Sequence, residues 1–331
     1  MKVLFIGGTG NISTSVSKAA LDKGIELFHL NRRSDFAGVT SLHADIKDLN
    51  AVEMVLRHHT WDCVVDWIAF TPEEVERDYQ LFRGKTKQYI FISSASAYQK
   101  PLLMPVITES TPLKNPFWDY SRNKIACEDL LVRYYREDDF PITIVRPSHT
   151  YRNTLPATLG GSREYTILDR IRKGLPIVVH GDGTSLWTLT HADDFAKAFT
   201  SLIGNGYAIG EAFHITSDEA LSWNRIHELL AEAVGCKANI VHCTSDLIAD
   251  IADAEGFTDL RGSLLGDKAY PAVFDNTKIK RFVPSFRAVI PFAEGIRHAV
   301  QWFEADPRRL VINEKTNRLI NHLIEIQQHK H

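Results

Sequence analysis

The chain has 331 residues, 44% of them hydrophobic, and its 38 Lys plus Arg against 41 Asp plus Glu give a net charge of −3. That length can bury a large core in two lobes, and the near-balanced charge, without long runs of one sign, disfavours a basic nucleic-acid surface. No apolar run approaches the ~18 residues of a membrane span, and the N-terminal MKVLFIGGTG lacks a signal peptide's apolar length and cleavage site, so a cytoplasmic location is expected.

The first element is KVLFI (2–6), a continuous apolar run followed by glycines and then by Ile12, Val16, Ala19 and Ala20 at helical spacing. This predicts a strand, a tight turn and a helix. Comparable runs predict strands at IELFHL (25–30), CVVDWIAF (63–70), QYIFIS (88–93) and ITIVR (142–146), separated by segments long enough for crossover helices. Unbroken apolar runs are the mark of strands buried on both faces, so the expected fold class is α/β, a doubly wound parallel sheet.

After about residue 150 the sequence becomes loop-rich, and a smaller, irregular α/β lobe is expected to carry the substrate. Helical patterns return at 192–203, 221–234 and 292–304, and in a tail from about 313 to 328. The expected division gives the dinucleotide-binding domain residues 1–152 with 187–217 and the substrate lobe 153–186 with 218–307, leaving 308–331 as a C-terminal helix. That tail is amphipathic and is expected to dock on the body or on a second copy in a homodimer, not on a membrane. The four cysteines, at 63, 127, 236 and 243, form no C-x-x-C pair and are expected as free thiols. Cys236, His242 and Cys243 would lie largely along a strand, where side chains alternate faces, so no metal is expected.

The glycine turn GGTGNIS (7–13) ends the first strand and opens the first helix, which is the setting of a phosphate-binding turn. Gly7 allows the tight turn and Gly10 close backbone approach, while the free amides of Asn11 and Ile12 face a pyrophosphate. The second strand ends in HLNRRSD (29–35). Asn31 stands where an acidic residue would select the ribose of NAD, and Arg32 and Arg33 offer to pair with the 2′-phosphate of NADP. The cofactor is therefore NAD or NADP, with NADP at least equal.

Tyr120 and Lys124 lie four apart at the start of a predicted helix, on one face with Cys127, Leu131 and Tyr134. An ammonium held beside a phenol favours phenolate and is expected to lower the tyrosine pKa, which suits proton transfer. Chance and chemistry both produce such a pair in a chain of ten tyrosines.

Taken in order, Gly7, Gly10, HADIKD (43–48), FISSASAY (91–98), YSRNK (120–124), IVRPSHTY (144–151) and GDGTSLWTLTHADD (181–194) resemble the extended short-chain dehydrogenase/reductases. Within them the chain is similar to the NAD-dependent epimerase/dehydratase family, including UDP-glucose 4-epimerases, and to the chloroplast stem-loop-binding proteins. The resemblance covers roughly residues 1–305 and implies a Rossmann fold. It also implies Tyr120 as acid/base, Lys124 as holder of the nicotinamide ribose, and Ser94 as hydrogen-bond partner of the reacting oxygen. By the same resemblance, Asp45 and Ile46 contact the adenine, and Ile68 and Ala69 line the inner ribose.

Three departures narrow the expectation. The third glycine of the turn is Ser13, expected to widen the helix–sheet contact slightly. The Asp-Glu pair of the dehydratases is replaced by Ala95 and Ser96, which makes dehydration unlikely and leaves Ser96 as a substrate contact. The arginine that clamps the diphosphate of nucleotide sugars is matched by Trp187, either core packing or a platform for a sugar ring, unless Arg152, Arg163 or Arg261 supplies a displaced clamp. His149, matching a substrate asparagine, either donates to a substrate oxygen or sits satisfied in the wall. The expected function is an NAD(P)-dependent epimerase or oxidoreductase on a sugar-like polyol. The alternatives are an NADPH-dependent carbonyl reductase, an RNA-binding protein and a non-catalytic dinucleotide sensor.

Overall fold

The structure is a computed structural model and describes residues 1–329; the last two positions of the expected C-terminal segment lie outside them. The strands are β1 (Lys2–Ile6), β2 (Glu26–Asn31), β3 (Thr40–His43), β4 (Cys63–Asp66), β5 (Tyr89–Ile92), β6 (Ile142–Pro147), β7 (His149–Tyr151), β8 (Ile177–His180), β9 (Leu186–His191), β10 (Ala212–Ile215), β11 (Ala220–Ser222) and β12 (Ile240–Cys243). The helices are α1 (Asn11–Asp22), α2 (Leu49–Leu56), α3 (Pro72–Phe82), α4 (Asp119–Asp138), α5 (Thr166–Arg172), α6 (Ala192–Phe199), α7 (Trp223–Ala233), α8 (Ser245–Ala254), α9 (Leu260–Ser263), α10 (Thr277–Phe282), α11 (Phe292–Glu304) and α12 (Glu314–Gln328).

Seven strands form one sheet in the order β10-β6-β5-β4-β1-β2-β3, and every pairing in it is parallel. Side chains alternate between its faces: Val3 and Phe5 pack with Val16, Phe195 and Phe199, while Leu4 and Ile6 pack with Val52, Val75 and Leu131. Both faces are thus covered by helices, which is why the strands show as unbroken apolar runs. The chain leaves β1 for β2 and β3 on one side and returns to β4 on the other. The crevice beyond the strand ends at β1 and β4 is therefore the topological switch point, where ligands bind in such folds.

Two strands of this sheet escaped the sequence reading, β3 and β10, each only four residues long and at its edges. The strand expected over 63–70 stops at Asp66. Its carboxylate accepts the backbone amides of Ile68 (2.9 Å) and Ala69 (3.0 Å), turning the chain into a loop at the sheet's C-terminal edge.

The second lobe carries a three-stranded sheet, β11-β9-β7, and a two-stranded one, β12-β8. From β9 the chain returns to the large sheet through α6 and β10. The tail helix α12 docks on the body of its own chain, with Leu319, Ile320, Leu323 and Ile324 buried in the lobe core. No helix among the described residues is long and apolar enough to cross a membrane.

Candidate active site

Tyr120 lies in the first turn of α4 and Lys124 one turn later, both lining a cavity of about 610 Å³ beside β1, β4 and β5. Lys124 is 1% exposed. Its ammonium donates to the Ala69 carbonyl at 2.6 Å and the Ile92 carbonyl at 2.7 Å, and it lies 4.6 Å from the Phe70 ring centroid. Burial lowers its pKa to about 8, with the Asp66 carboxylate the largest opposing influence.

The expected lowering of the Tyr120 pKa is not what the structure gives. Burial pushes the phenol up to about 12, and the Ser94 hydroxyl is the influence that opposes it. The physical reason is geometric: the Lys124 ammonium is 5.9 Å from the Tyr120 ring centroid and is turned to two backbone carbonyls. Trp118 packs on the same ring at 4.7 Å, and its indole N–H donates to Asp259 at 2.7 Å.

Ser94 follows β5 and shares a hydrogen bond of 2.9 Å with Ser96. The Ser96 hydroxyl also accepts from Ser121 at 2.7 Å, and its carbonyl accepts from Asn115 at 2.9 Å. Although it lines the cavity, Ser96 is thus occupied as a brace between the serine loop and α4. Asn115 also donates to Gly266 O at 2.7 Å, tying the serine loop to the second lobe. A Cβ at Gly266 would sit 2.8 Å from Trp118 Cβ, so the close approach of this segment needs glycine.

A second cavity, of about 1050 Å³, is lined by Asn31, Arg32, Arg33, Asp45 and Ile46, and shares Gly7, Gly10, Ile68 and Phe70 with the first. The two are halves of one cleft. Gly7 has φ +85°, and a Cβ there would fall 2.4 Å from Ile68, so the floor between the halves needs glycine. The first-turn amides of α1 have no intrahelical acceptors, which leaves those of Asn11 and Ile12 for an anion. The Asn11 side chain is committed, donating to Thr150 O at 2.9 Å.

Ser13 does not act as a spacer. It is 2% exposed, accepts the Gly10 amide at 2.7 Å and donates to Gly7 O at 3.1 Å, bracing the turn from beneath. At the far end, Asn31 Oδ1 accepts the Ser34 amide at 3.0 Å while its buried Nδ2 has no partner among the described residues. Asp45 accepts the Lys47 amide at 3.0 Å. Ala69 is buried and serves Lys124 through its carbonyl. A glycine floor, free helix amides, an orphaned amide donor and two arginines fit a dinucleotide along the whole cleft.

His149 and Trp187 both line the inner cavity. Burial lowers the His149 pKa to about 4, so its imidazole is neutral near pH 7. Trp187 is 2% exposed and packs on Trp223 at 5.2 Å; it belongs to the lobe core and offers no broad platform for a sugar ring. The displaced clamp is absent too. Arg152 lies by Asp193, Arg261 is paired with Asp250 and Asp253, Arg163 is exposed, and no arginine lines the inner cavity among the described residues.

Sequence reasoning missed Asp66, Lys100, Trp118 and Asp267. Asp66 announces itself as the one charge closing an apolar run; Lys100 and Trp118 reach the site from loop ends and Asp267 from a helical turn, and no local pattern encodes their approach.

The chain is similar to known proteins over most of its length. It is 25% identical over 294 residues to 2′-dehydrokanamycin reductase of Streptomyces kanamyceticus, covering 87% of this chain and 80% of that one. It is 27% identical to the chloroplast stem-loop binding protein of 41 kDa b of Arabidopsis thaliana, covering 73% and 65%. Among solved structures, the UDP-glucose 4-epimerase of Thermotoga maritima, determined with UDP-glucose, superposes with a TM-score of 0.70 at 19% identity, covering 92% of this chain and 99% of the other, a likeness of fold. The sequence pattern of the NAD dependent epimerase/dehydratase family matches residues 3–215, and the chain belongs to that family.

Proposed function

We propose that the protein is an NAD(P)-dependent oxidoreductase or epimerase acting on a sugar-like polyol that carries no nucleoside diphosphate. The observation that carries this reading is an inner cavity holding Ser94, Tyr120 and Lys124 together but no arginine. A diphosphate drawn from water into such a cavity without a guanidinium partner would lose hydration uncompensated.

Bound along the cleft, the nicotinamide cofactor supplies or accepts the hydride. Tyr120 gives its phenolic proton to the oxygen formed on reduction, or takes one from a hydroxyl on oxidation. Ser94 orients that oxygen. Lys124 has three donors, two spent on carbonyls, and the third is free for a cofactor hydroxyl. Ala95 and Ser96 bring no carboxyl group for the elimination of water. Residues 1–152 with 187–217 hold the cofactor; 153–186 with 218–307 close over the substrate through Asp259, Asp267, Ala272 and Phe274.

Asn31, Arg32 and Arg33 favour NADP, since the β2 end presents donors and no carboxylate. The reductase version draws support from the relative named as 2′-dehydrokanamycin reductase, whose match spans most of both chains. The test is incubation with NADPH and ketosugars, and separately with NADP+ or NAD+ and polyols, following nucleotide absorbance and sugar stereochemistry. Epimerisation without net cofactor change marks an epimerase, and net oxidation of NADPH a reductase. Failure of every sugar to react would overturn the reading.

A further inference from the structure

Two charged side chains in the inner cavity have no place in the proton chemistry. Lys100 comes from the loop after β5, and Asp267 from the turn that follows α9 in the second lobe. Lys100 is 2% exposed, and among the described residues its ammonium makes neither a hydrogen bond nor a direct ion pair. The Asp267 carboxylate likewise accepts no hydrogen bond among them. Each is the leading charge felt by the other: Asp267 opposes the lowering of the Lys100 pKa by burial, and Lys100 opposes the raising of Asp267, to about 6, by burial. Neighbouring charges are committed elsewhere. Lys268 donates to Ala157 O (2.9 Å) and Thr158 O (3.1 Å), and Asp259 accepts from Trp118.

Leaving a buried ammonium and a half-buried carboxylate without hydrogen bonds is costly unless a ligand completes them. We propose that Lys100 and Asp267 jointly read two hydroxyls of a neutral polyol, the ammonium donating to one and the carboxylate accepting from the other. Hydroxyls both donate and accept, so a diol satisfies both groups without adding charge to a pair that is already balanced. A sugar acid satisfies Lys100 but opposes Asp267, and an amino sugar does the reverse. The pair therefore selects for uncharged substituents at this place. The inference deepens the proposed function and rests on it for turnover, but not for binding.

The test uses NADPH-loaded protein and its Lys100→Met and Asp267→Asn variants. Binding of myo-inositol and methyl glucoside (neutral), glucuronate and glucosamine is read by saturation-transfer NMR, and turnover is measured in parallel. Each variant should bind neutral polyols about ten- to a hundredfold more weakly, the scale of one charge-assisted hydrogen bond, with NADPH affinity unchanged. Preference should move toward glucosamine in Lys100→Met and toward glucuronate in Asp267→Asn. Lys100→Met replaces an ammonium that makes no hydrogen bond by an apolar chain of similar length, and its unfolding temperature shows whether it folds; Lys100→Arg, which keeps the charge opposite Asp267, provides a second variant. Equal polyol binding by wild type and variants, preferences moving the opposite way, or no polyol binding by the wild type would overturn the inference. Binding that depends on the pair without any sugar turnover would instead overturn the proposed function and leave the pair's role standing.

Discussion

Asp66 and Lys124 are joined through a single residue: the Asp66 carboxylate accepts the Ala69 amide at 3.0 Å, and the Lys124 ammonium donates to the Ala69 carbonyl at 2.6 Å. Asp66 thereby fixes the loop that holds the lysine and favours its charged form. Lys124 is charged below about pH 8 and loses its proton above it. Turnover that needs the ammonium should decline as pH rises through that value. Asp66→Asn keeps an acceptor for the Ala69 amide but removes the charge, so the decline should move to lower pH. A pH–rate profile of kcat/KM for the two proteins checks this, and an unmoved limb would uncouple Asp66 from Lys124.

The Tyr120 phenol, held up to about 12 by burial, is protonated at neutral pH. It is therefore ready as an acid, whereas service as a base requires it to ionise first. Reduction of a ketosugar should be flat with pH until Lys124 titrates, and oxidation of the alcohol should rise with pH over the same range. Tyr120→Phe should cost ~100-fold or more in kcat in both directions, the scale of a general acid/base, with cofactor affinity nearly unchanged. An unimpaired variant removes Tyr120 from the mechanism.

Arg32 lines the larger cavity of the cleft together with Asn31, whose Nδ2 has no partner among the described residues. If it pairs with a 2′-phosphate, Arg32→Ala loses a charge-assisted hydrogen bond worth roughly 1.5–3 kcal/mol for NADP alone. Fluorescence titration should show NADP weakened about ten- to a hundredfold and NAD little changed. Equal losses for both nucleotides would place Arg32 outside cofactor selection.

The sheet was legible because its strands are buried on both faces, so that apolar runs at 2–6, 25–30, 88–93 and 142–146 each mark a strand within a residue or so. Edge strands were not: the TSLH of β3 is at best half-buried and carries no such run. Tyr120 and Lys124 were found by helical spacing, because both sit on one element. Lys100, Trp118 and Asp267 were not, since loop approach is set by tertiary contacts such as the Asn115 bridge to Ser96 and Gly266. The tyrosine pKa was misjudged for a related reason. Spacing places an ammonium near a phenol, but which acceptors it turns to depends on carbonyls contributed by two other segments.

Ser13 shows the same limit at small scale, since its departure from glycine suggested loosened packing, whereas its hydroxyl ties the Gly10 amide to the Gly7 carbonyl. Ser13→Ala should destabilise the protein by about 1–3 kcal/mol, the scale of one or two buried hydrogen bonds, and weaken cofactor binding by loosening the turn. Chemical unfolding measures the first effect and titration the second. A fully stable variant with unchanged affinity would make the brace incidental.

The substrate class is tested most directly by ligands that differ only in phosphate. The inner cavity contains Lys100, Lys124, Asp259 and Asp267 but no arginine; Lys124 is turned to backbone carbonyls, and the Lys100 charge is balanced by Asp267. A diphosphate entering here finds no bidentate partner and meets two carboxylates. Methyl glucoside should therefore bind at least as well as glucose 1-phosphate, and UDP-glucose worst of the three, when each is titrated calorimetrically into the NADPH-loaded protein. Converting Trp187 to arginine is not a sound control, because the residue is 2% exposed and packed on Trp223, where a new guanidinium would be buried without a partner. The ligand series on the unmodified protein avoids that ambiguity: micromolar binding of UDP-glucose would require an anion clamp from other groups and would return the protein to the nucleotide-sugar enzymes.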